Sequence, residues 1–477
     1  MFSSYSSPRV GSKSFSLLQN AFLQAKDLPL SDVLTEEEIE AAFVAEDACF
    51  GENKDDIYTP ALTLWGWLAQ VMHADKARSC VTAVARITTL CVALERQAPS
   101  PDTGAYCRAR AKLLEPVLRR LVYTLGDELE SRVPADWLWL GHHVKLGDGT
   151  TLSTPDTAAN QQVWPQQHAQ KPGLGFPILR TVVLLSLATA ALCGLATGPY
   201  LGKETGETAL LRELLDRFQR GDVFLGDSAY VGYFMLALLL ARGVDVVTRQ
   251  HQARHSDFRS GQRLGKEDHV VVWERPKRPD WMDEATYAGI PQTLAVRELK
   301  VHVGVPGFRV QELIVVTTLS DAKRYPKEEI ARLFRARWHV ELDLRSIKTS
   351  LRLDDLRGKT PETIRREIWM HWLAYNLIRK VMAQAALAHE KLPRELSFVS
   401  ALAAVTGAWA LASVADASAL CRHAKAQHEA IAWHRVGHRP NRVEPRAIKR
   451  RPKPHRLLTR PRKQAREKLL ATRGSCC

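Results

Sequence analysis

The chain has 477 residues, 45% of them hydrophobic and 25% charged, which is ordinary for a soluble globular protein of about three domains. Its 67 Lys and Arg against 52 Asp and Glu leave a net charge of +15, which points to a polyanionic partner, either nucleic acid or an anionic membrane. The eight Cys form no Cys-x-x-Cys pair, which argues against a zinc knuckle or a disulfide framework and suits a reducing cytosol.

Residues 1–135 read as helical and carry no basic start followed by a compact apolar run, the mark of a signal peptide. "PALTLWGWLAQVM" and "SCVTAVARITTLCVALERQ" have helical apolar spacing. The turn residues of "SPDTGAYCRARAKLLEP" then open a helix with Arg108, Arg110 and Lys112 near its start. Basic residues there make it a candidate DNA-reading element; a plain amphipathic helix with a wet basic face is the alternative.

The texture changes over residues 136–250. "GHHVKLGDGTTL" reads as a strand, with Val144, Leu146 and Asp148 on one side and Asp148 at its end. The uncharged run from Thr181 to Gly202 is long enough to cross a bilayer. It is rich in Thr, Ser, Ala and Gly, however, and reads as a pair of strands covered on both faces. A helix at "ETALLRELLDRFQRGD", a short strand at "DVFLGDSAY" reaching Asp227, a helix at "YFMLALLLARG" and a strand at "VDVVTR" follow. Strands alternating with helices imply an α/β class with partly parallel strands.

Residues 251–320 read as an antiparallel β-rich insertion. Helices return over 321–385, with Pro326 fitting a first helical position and no Gly or Pro from Lys327 to Arg357. Residues 386–477 form a helical region with a basic tail, in which fifteen Lys and Arg from Ile431 onward face only Glu444 and Glu467. Interleaved Pro and Arg in that tail suit an arm that meets phosphates.

Three acids stand out by position. Asp148 and Asp227 lie at strand ends, where open α/β sheets place their sites, and Glu341 lies on the helix after the insertion. At about 100° per residue, Arg337, Glu341, Lys348 and Phe334 share one helical stripe. Three converging carboxylates repel by about 4 kcal/mol per close pair, and a hard divalent cation, Mg²⁺ or Mn²⁺, removes that cost. Two such ions about 4 Å apart suit in-line phosphodiester displacement, with Arg337 and Lys348 gripping phosphates beside the scissile bond. Asp156 and Asp222 are chemically similar but sit in a loop and before a strand, so they rank lower.

Spacing and context together resemble the DDE transposases of bacterial insertion sequences, in the insertion-sequence family 4 group marked by Tyr-x2-Arg-x3-Glu-x6-Lys. Arg337, Glu341 and Lys348 fit that signature, with Phe334 at the Tyr position. "DGTTL", "FLGDSAY", "LAYNLIR" and "VEPRAIKRRPKP" match in style. The resemblance implies an RNase H-like catalytic core interrupted by a β-rich insertion, with Asp148, Asp227 and Glu341 as catalytic metal ligands. It implies cut-and-paste transposition in the cytoplasm by a homodimer on double-stranded DNA, joining paired terminal inverted repeats to target DNA. It also implies a Trp in the insertion that stacks on a flipped base, Trp273 or Trp281 here. An inactive DNA-binding relic and an RNase H-like nuclease without strand transfer are the rivals. No phosphate loop for a nucleotide cofactor is present, and His423, His428, His434 and His438 lack a metal-binding spacing.

Overall fold

A computed structural model describes residues 13–53, 55–303, 311–436 and 460–474. The N-terminal part is helical: α1 (Ser16–Ala21), α2 (Glu36–Ala45), α3 (Pro60–Val71), α4 (Cys80–Ala93), α5 (Gly104–Ala111) and α6 (Glu115–Ser131). Local chemistry sets the ends. Thr35 and Glu38 form a reciprocal capping box at α2, and Thr59 caps α3 ahead of Pro60. Helix α3 is buried almost all round, as its lack of charge requires.

The sheet begins with β1 (Val144–Ser153), then α7 (Ala158–Val163) and the hairpin of β2 (Ile178–Ser186) and β3 (Leu192–Pro199). The uncharged run is therefore two strands, and no described helix is long and apolar enough to cross a membrane. Burial on both faces explains its composition: Val183 and Leu185 join the core under the N-terminal helices, while Val182 and Leu184 join a second core on the opposite side. Helix α8 (Glu207–Arg212), β4 (Val223–Leu225), α9 (Tyr233–Ala241) and β5 (Asp245–Arg249) complete this half, with β1, β4 and β5 mutually parallel.

Residues beyond β5 extend the same sheet rather than building a separate one. Strands β6 (Gln262–Gly265) and β7 (Asp268–Glu274), helix α10 (Glu284–Gly289), and strands β8 (Thr293–Val303) and β9 (Gln311–Thr317) follow. Antiparallel pairing of β9 with β5 closes one nine-stranded sheet in the order β3-β2-β1-β4-β5-β9-β8-β7-β6.

Two expectations need correction. Asp148 sits in the middle of β1, not at its end, because pairing with β2 carries the strand on to Ser153. The stretch from Lys327 is not one helix. It divides into α11 (Lys327–Ala336), α12 (Trp338–Arg345) and a π-helical turn at Ser346–Ser350. The chain tightens at Arg337, whose amide bonds the Phe334 carbonyl, and widens at Leu351, whose amide reaches back five residues to Ser346.

Helix α13 (Pro361–Ala388) is the spine, buried along most of its 28 residues. Asn376 bolts it to the sheet: its side chain accepts from the Leu192 amide (2.8 Å) and donates to the Leu192 and Val122 carbonyls (both 3.2 Å). Gly126 lets α6 approach there, since a Cβ would lie 2.4 Å from the Leu192 carbonyl oxygen. Helices α14 (Phe398–Ser413), α15 (Ala417–Trp433) and α16 (Arg462–Gly474) follow. Most of the basic tail, with His438, lies outside the described residues. His428 is buried with neither ring nitrogen hydrogen-bonded, and burial pushes it down to about 4.

Candidate active site

Register places the two aspartates. Leu146 of β1 is opposite Leu225 of the parallel strand β4, and Asp148 and Asp227 each lie two residues further on. Neighbouring strands run about 4.8 Å apart, so both acids emerge at one level of the sheet. The Asp148 carboxylate accepts from the Gly149 amide (2.8 Å), and Asp227 caps the short turn Ser228–Tyr230 by accepting from the Ala229 amide (2.8 Å).

Burial raises the Asp148 carboxyl to about 6, and the nearby Asp227 and Glu207 push it the same way. The Gly149 amide and the Arg337 guanidinium oppose them. Glu207, the first residue of α8, is a fourth acid that sequence reasoning missed; burial and Asp227 raise it as well. A signal existed in the glycine after Asp148. A Cβ on Gly149 would fall 2.3 Å from Glu207 Cδ, so the glycine makes room for that carboxylate.

Helix α12 packs against β1 and carries the third expected acid. Glu341 does not turn to the aspartates; it accepts from Arg337 Nη2 at 3.1 Å. Consistent with that pairing, no three His, Cys, Asp or Glu side chains among the described residues converge on one metal position. Lys348 reaches β1, donating to Thr150 Oγ1 (3.0 Å) and the Thr151 carbonyl (3.3 Å), with Asp354 at 3.3 Å. The π-helical turn thus lies over the same strand as Asp148.

Phe334 is buried in the core, so it is a packing residue and not a surface contact for phosphate. An aromatic that sequence reasoning missed, Trp338, is 53% exposed beside Arg337. Arg110 stacks on Trp67 (4.2 Å) and donates to Gln70 Oε1 (3.1 Å), whereas Arg108 and Lys112 face solvent. Trp273 is buried, with its indole N–H donated to Glu298 (3.2 Å) and Arg254 stacked at 3.8 Å. Trp281 is half-buried under Arg212 at 3.8 Å. Neither ring is a bare stacking platform. Asp222 is held by Lys145 (2.7 Å) and Asp156 by Gln161 (3.0 Å).

Asp148 on β1, Asp227 just past the end of β4 and Glu341 on α12, with Arg337 and Lys348, bring carboxylates and cations to one region of the sheet. The chain belongs to the family of the transposase DDE domain, whose model matches residues 139–377. As a DDE-domain transposase it cleaves and transfers DNA strands. The chain is 28% identical over 323 residues to the transposase InsG for insertion sequence element IS4 of Escherichia coli (strain K12), an alignment covering 65% of this chain and 68% of that one. Among solved structures, the piggyBac transposase synaptic complex with hairpin DNA is similar over 83% of this chain and 80% of that one. Identity there is 10% and the TM-score 0.41, too loose to carry detail.

Proposed function

We propose that strands β1 to β5 form an RNase H-like core in which Asp148, Asp227 and Glu341 are the catalytic carboxylates of cut-and-paste transposition. The observation that carries this reading is that Asp148 on β1 and Asp227 just past β4 each lie two residues beyond the paired Leu146 and Leu225 of these parallel strands. The donors fit a divalent cation. They are hard oxygens, and burial, with a smaller push from Asp227, lifts Asp148 to about 6, a cost that a cation would relieve. Mg²⁺ is the expected ion, with Mn²⁺ as a substitute. When bound, the metal supplies an activated water and stabilises the leaving 3′ oxygen.

The chain's own groups do the rest. Arg337 takes a backbone phosphate of the DNA, and exchanging carboxylate for phosphate as its partner releases Glu341 towards the aspartates. Lys348, anchored over β1 by Thr150, holds a second phosphate. Arg108 and Lys112 of the N-terminal helices, with the basic tail, bind the terminal inverted repeats as a homodimer in the cytoplasm. Of the two insertion tryptophans, Trp281 is the better candidate to meet a base, since its partial exposure leaves an edge that Trp273 lacks.

The test is cleavage of labelled DNA carrying the inverted repeats that flank the reading frame, with Mg²⁺ or with EDTA, beside the Glu341→Gln protein. Nicks at the repeat tips that need metal and vanish in the variant, while repeat binding persists, are expected. Cleavage retained by Glu341→Gln would sink the assignment.

A further inference from the structure

We propose that Arg78, in the N-terminal helical region, is a positioning residue for the reaction: it fixes the turn that holds Lys348 in place. This rests on reading Lys348 as a group that holds a DNA phosphate. Arg78 lies just before α4, yet its buried guanidinium reaches into the catalytic half. Nη1 donates to the Arg352 carbonyl (3.2 Å) and pairs with Asp355 (3.3 Å). Nη2 donates to His371 Nε2 (3.2 Å) and lies 3.8 Å from Glu367, both on α13. His371 can accept because its Nδ1 proton goes to the Glu367 carbonyl (2.7 Å), which leaves the ring neutral. Burial and Arg78 push that ring down to about 3. Glu367 in turn accepts from the amides of Arg357 (2.9 Å) and Gly358 (3.0 Å), where the same turn ends.

The gripped turn is the one against which Lys348 rests. Leu353 bonds its amide back to the Ile347 carbonyl (3.1 Å), and Asp354 lies 3.3 Å from Lys348 Nζ. Arg78 holds the residues on either side of that pair, Arg352 and Asp355. Arg352 stands at φ +58°, a left-handed conformation that a residue with a side chain keeps when its surroundings impose it. The bond from Arg78 to its carbonyl pins that peptide. Lys348 then crosses to Thr150 of β1, two residues past Asp148. A brace between helices needs only side chains of α13, whereas Arg78 also takes the backbone beside Lys348. The tie continues towards α5: the Arg78 carbonyl accepts from Gln70 Nε2, and Gln70 Oε1 accepts from Arg110 (3.1 Å).

The experiment is a double-mutant cycle on the full chain, read as the single-turnover nicking rate at saturating repeat-end DNA with Mg²⁺. Arg78→Lys and Asp355→Ala are each measured alone and combined with Lys348→Ala. Asp355 is exposed, so that variant keeps the inference testable whatever Arg78→Lys does to folding. Each single variant should slow nicking, Arg78→Lys by about tenfold or more, as displaced catalytic groups do. Neither should slow the Lys348→Ala protein further by more than about twofold. Equal slowing in both backgrounds means that Arg78 braces the fold without acting through Lys348, and overturns the inference. A wild-type rate in both single variants overturns it too. Wild-type nicking by Lys348→Ala would instead overturn the reading of Lys348 itself, and the inference with it.

Discussion

Asp148 rides on β1 and Asp227 caps the turn that leaves β4, both half-buried and each fixed by a neighbouring amide. Glu341 rides on an eight-residue helix bounded by a tightened turn and a π-helical turn, and it is held by Arg337 alone of the site's cations. One half of the site is thus built into the sheet. The other half rides on a short helix that is itself anchored, through buried Val340 and Leu344 and through Asp343 paired with Arg379 (2.7 Å) and Arg394 (2.9 Å). Strands place atoms through a ladder shared with neighbours, whereas on the helix the Glu341 side chain can change partner without the helix moving.

That contrast can be broken experimentally. Removing an acid from either half, by Asp227→Ala or Glu341→Gln, should lower strand cleavage by at least about three orders of magnitude, reflecting the several kcal/mol that the cation supplies. A much milder loss in Glu341→Gln would mean that the helical half does not reach the chemistry. Lys348→Ala should slow cleavage by about ten- to a hundredfold, the range for losing a charged hydrogen bond to phosphate, measured as the single-turnover rate on repeat-end DNA.

Stability separates the halves further. Asp148 rises from 3.8 to about 6 on folding, so the folded chain binds a proton that the unfolded chain has released. Folding stability should therefore fall as pH rises through that window, and cleavage, which needs the carboxylate, should rise through pH 6. Asp148→Asn should lose activity yet gain roughly 1–3 kcal/mol of stability at neutral pH, seen as a higher midpoint in urea. Glu341→Gln should leave the midpoint within about 0.5 kcal/mol, since a partly exposed pair is worth little. Near the bolt between sheet and spine, Asn376→Ala should cost about 2–3 kcal/mol by stranding the Leu192 amide and its partners.

Legibility in the sequence follows the same division. Strand period put Asp148 on β1 and turn residues marked Asp227, though pairing with β2 carries β1 past the turn expected after Asp148; the uncharged run from Thr181 resolved into strands by its small and β-branched residues. The interruption at Arg337 was not readable, because no Gly or Pro announces it; packing against β1 and β8 decides where the backbone tightens. Phe334 shares a stripe with Arg337 on an ideal helix, yet the kink turns it into the core. Glu207 escaped because it meets Gly149 only through tertiary packing, 58 positions apart along the chain. Trp273 and Trp281 look alike in sequence and differ only by the partners that the fold gives them.

The pairing of β5 with β9 also joins distant parts of the chain. Arg249 and Val315 are ladder partners, so the whole stretch between them must be synthesised before these strands can pair. Glu341 lies beyond that pairing in the chain. A nascent or truncated polypeptide ending before it holds the two aspartates without Glu341, so on the proposed reading such a chain cannot cut: it is disarmed for as long as it is unfinished.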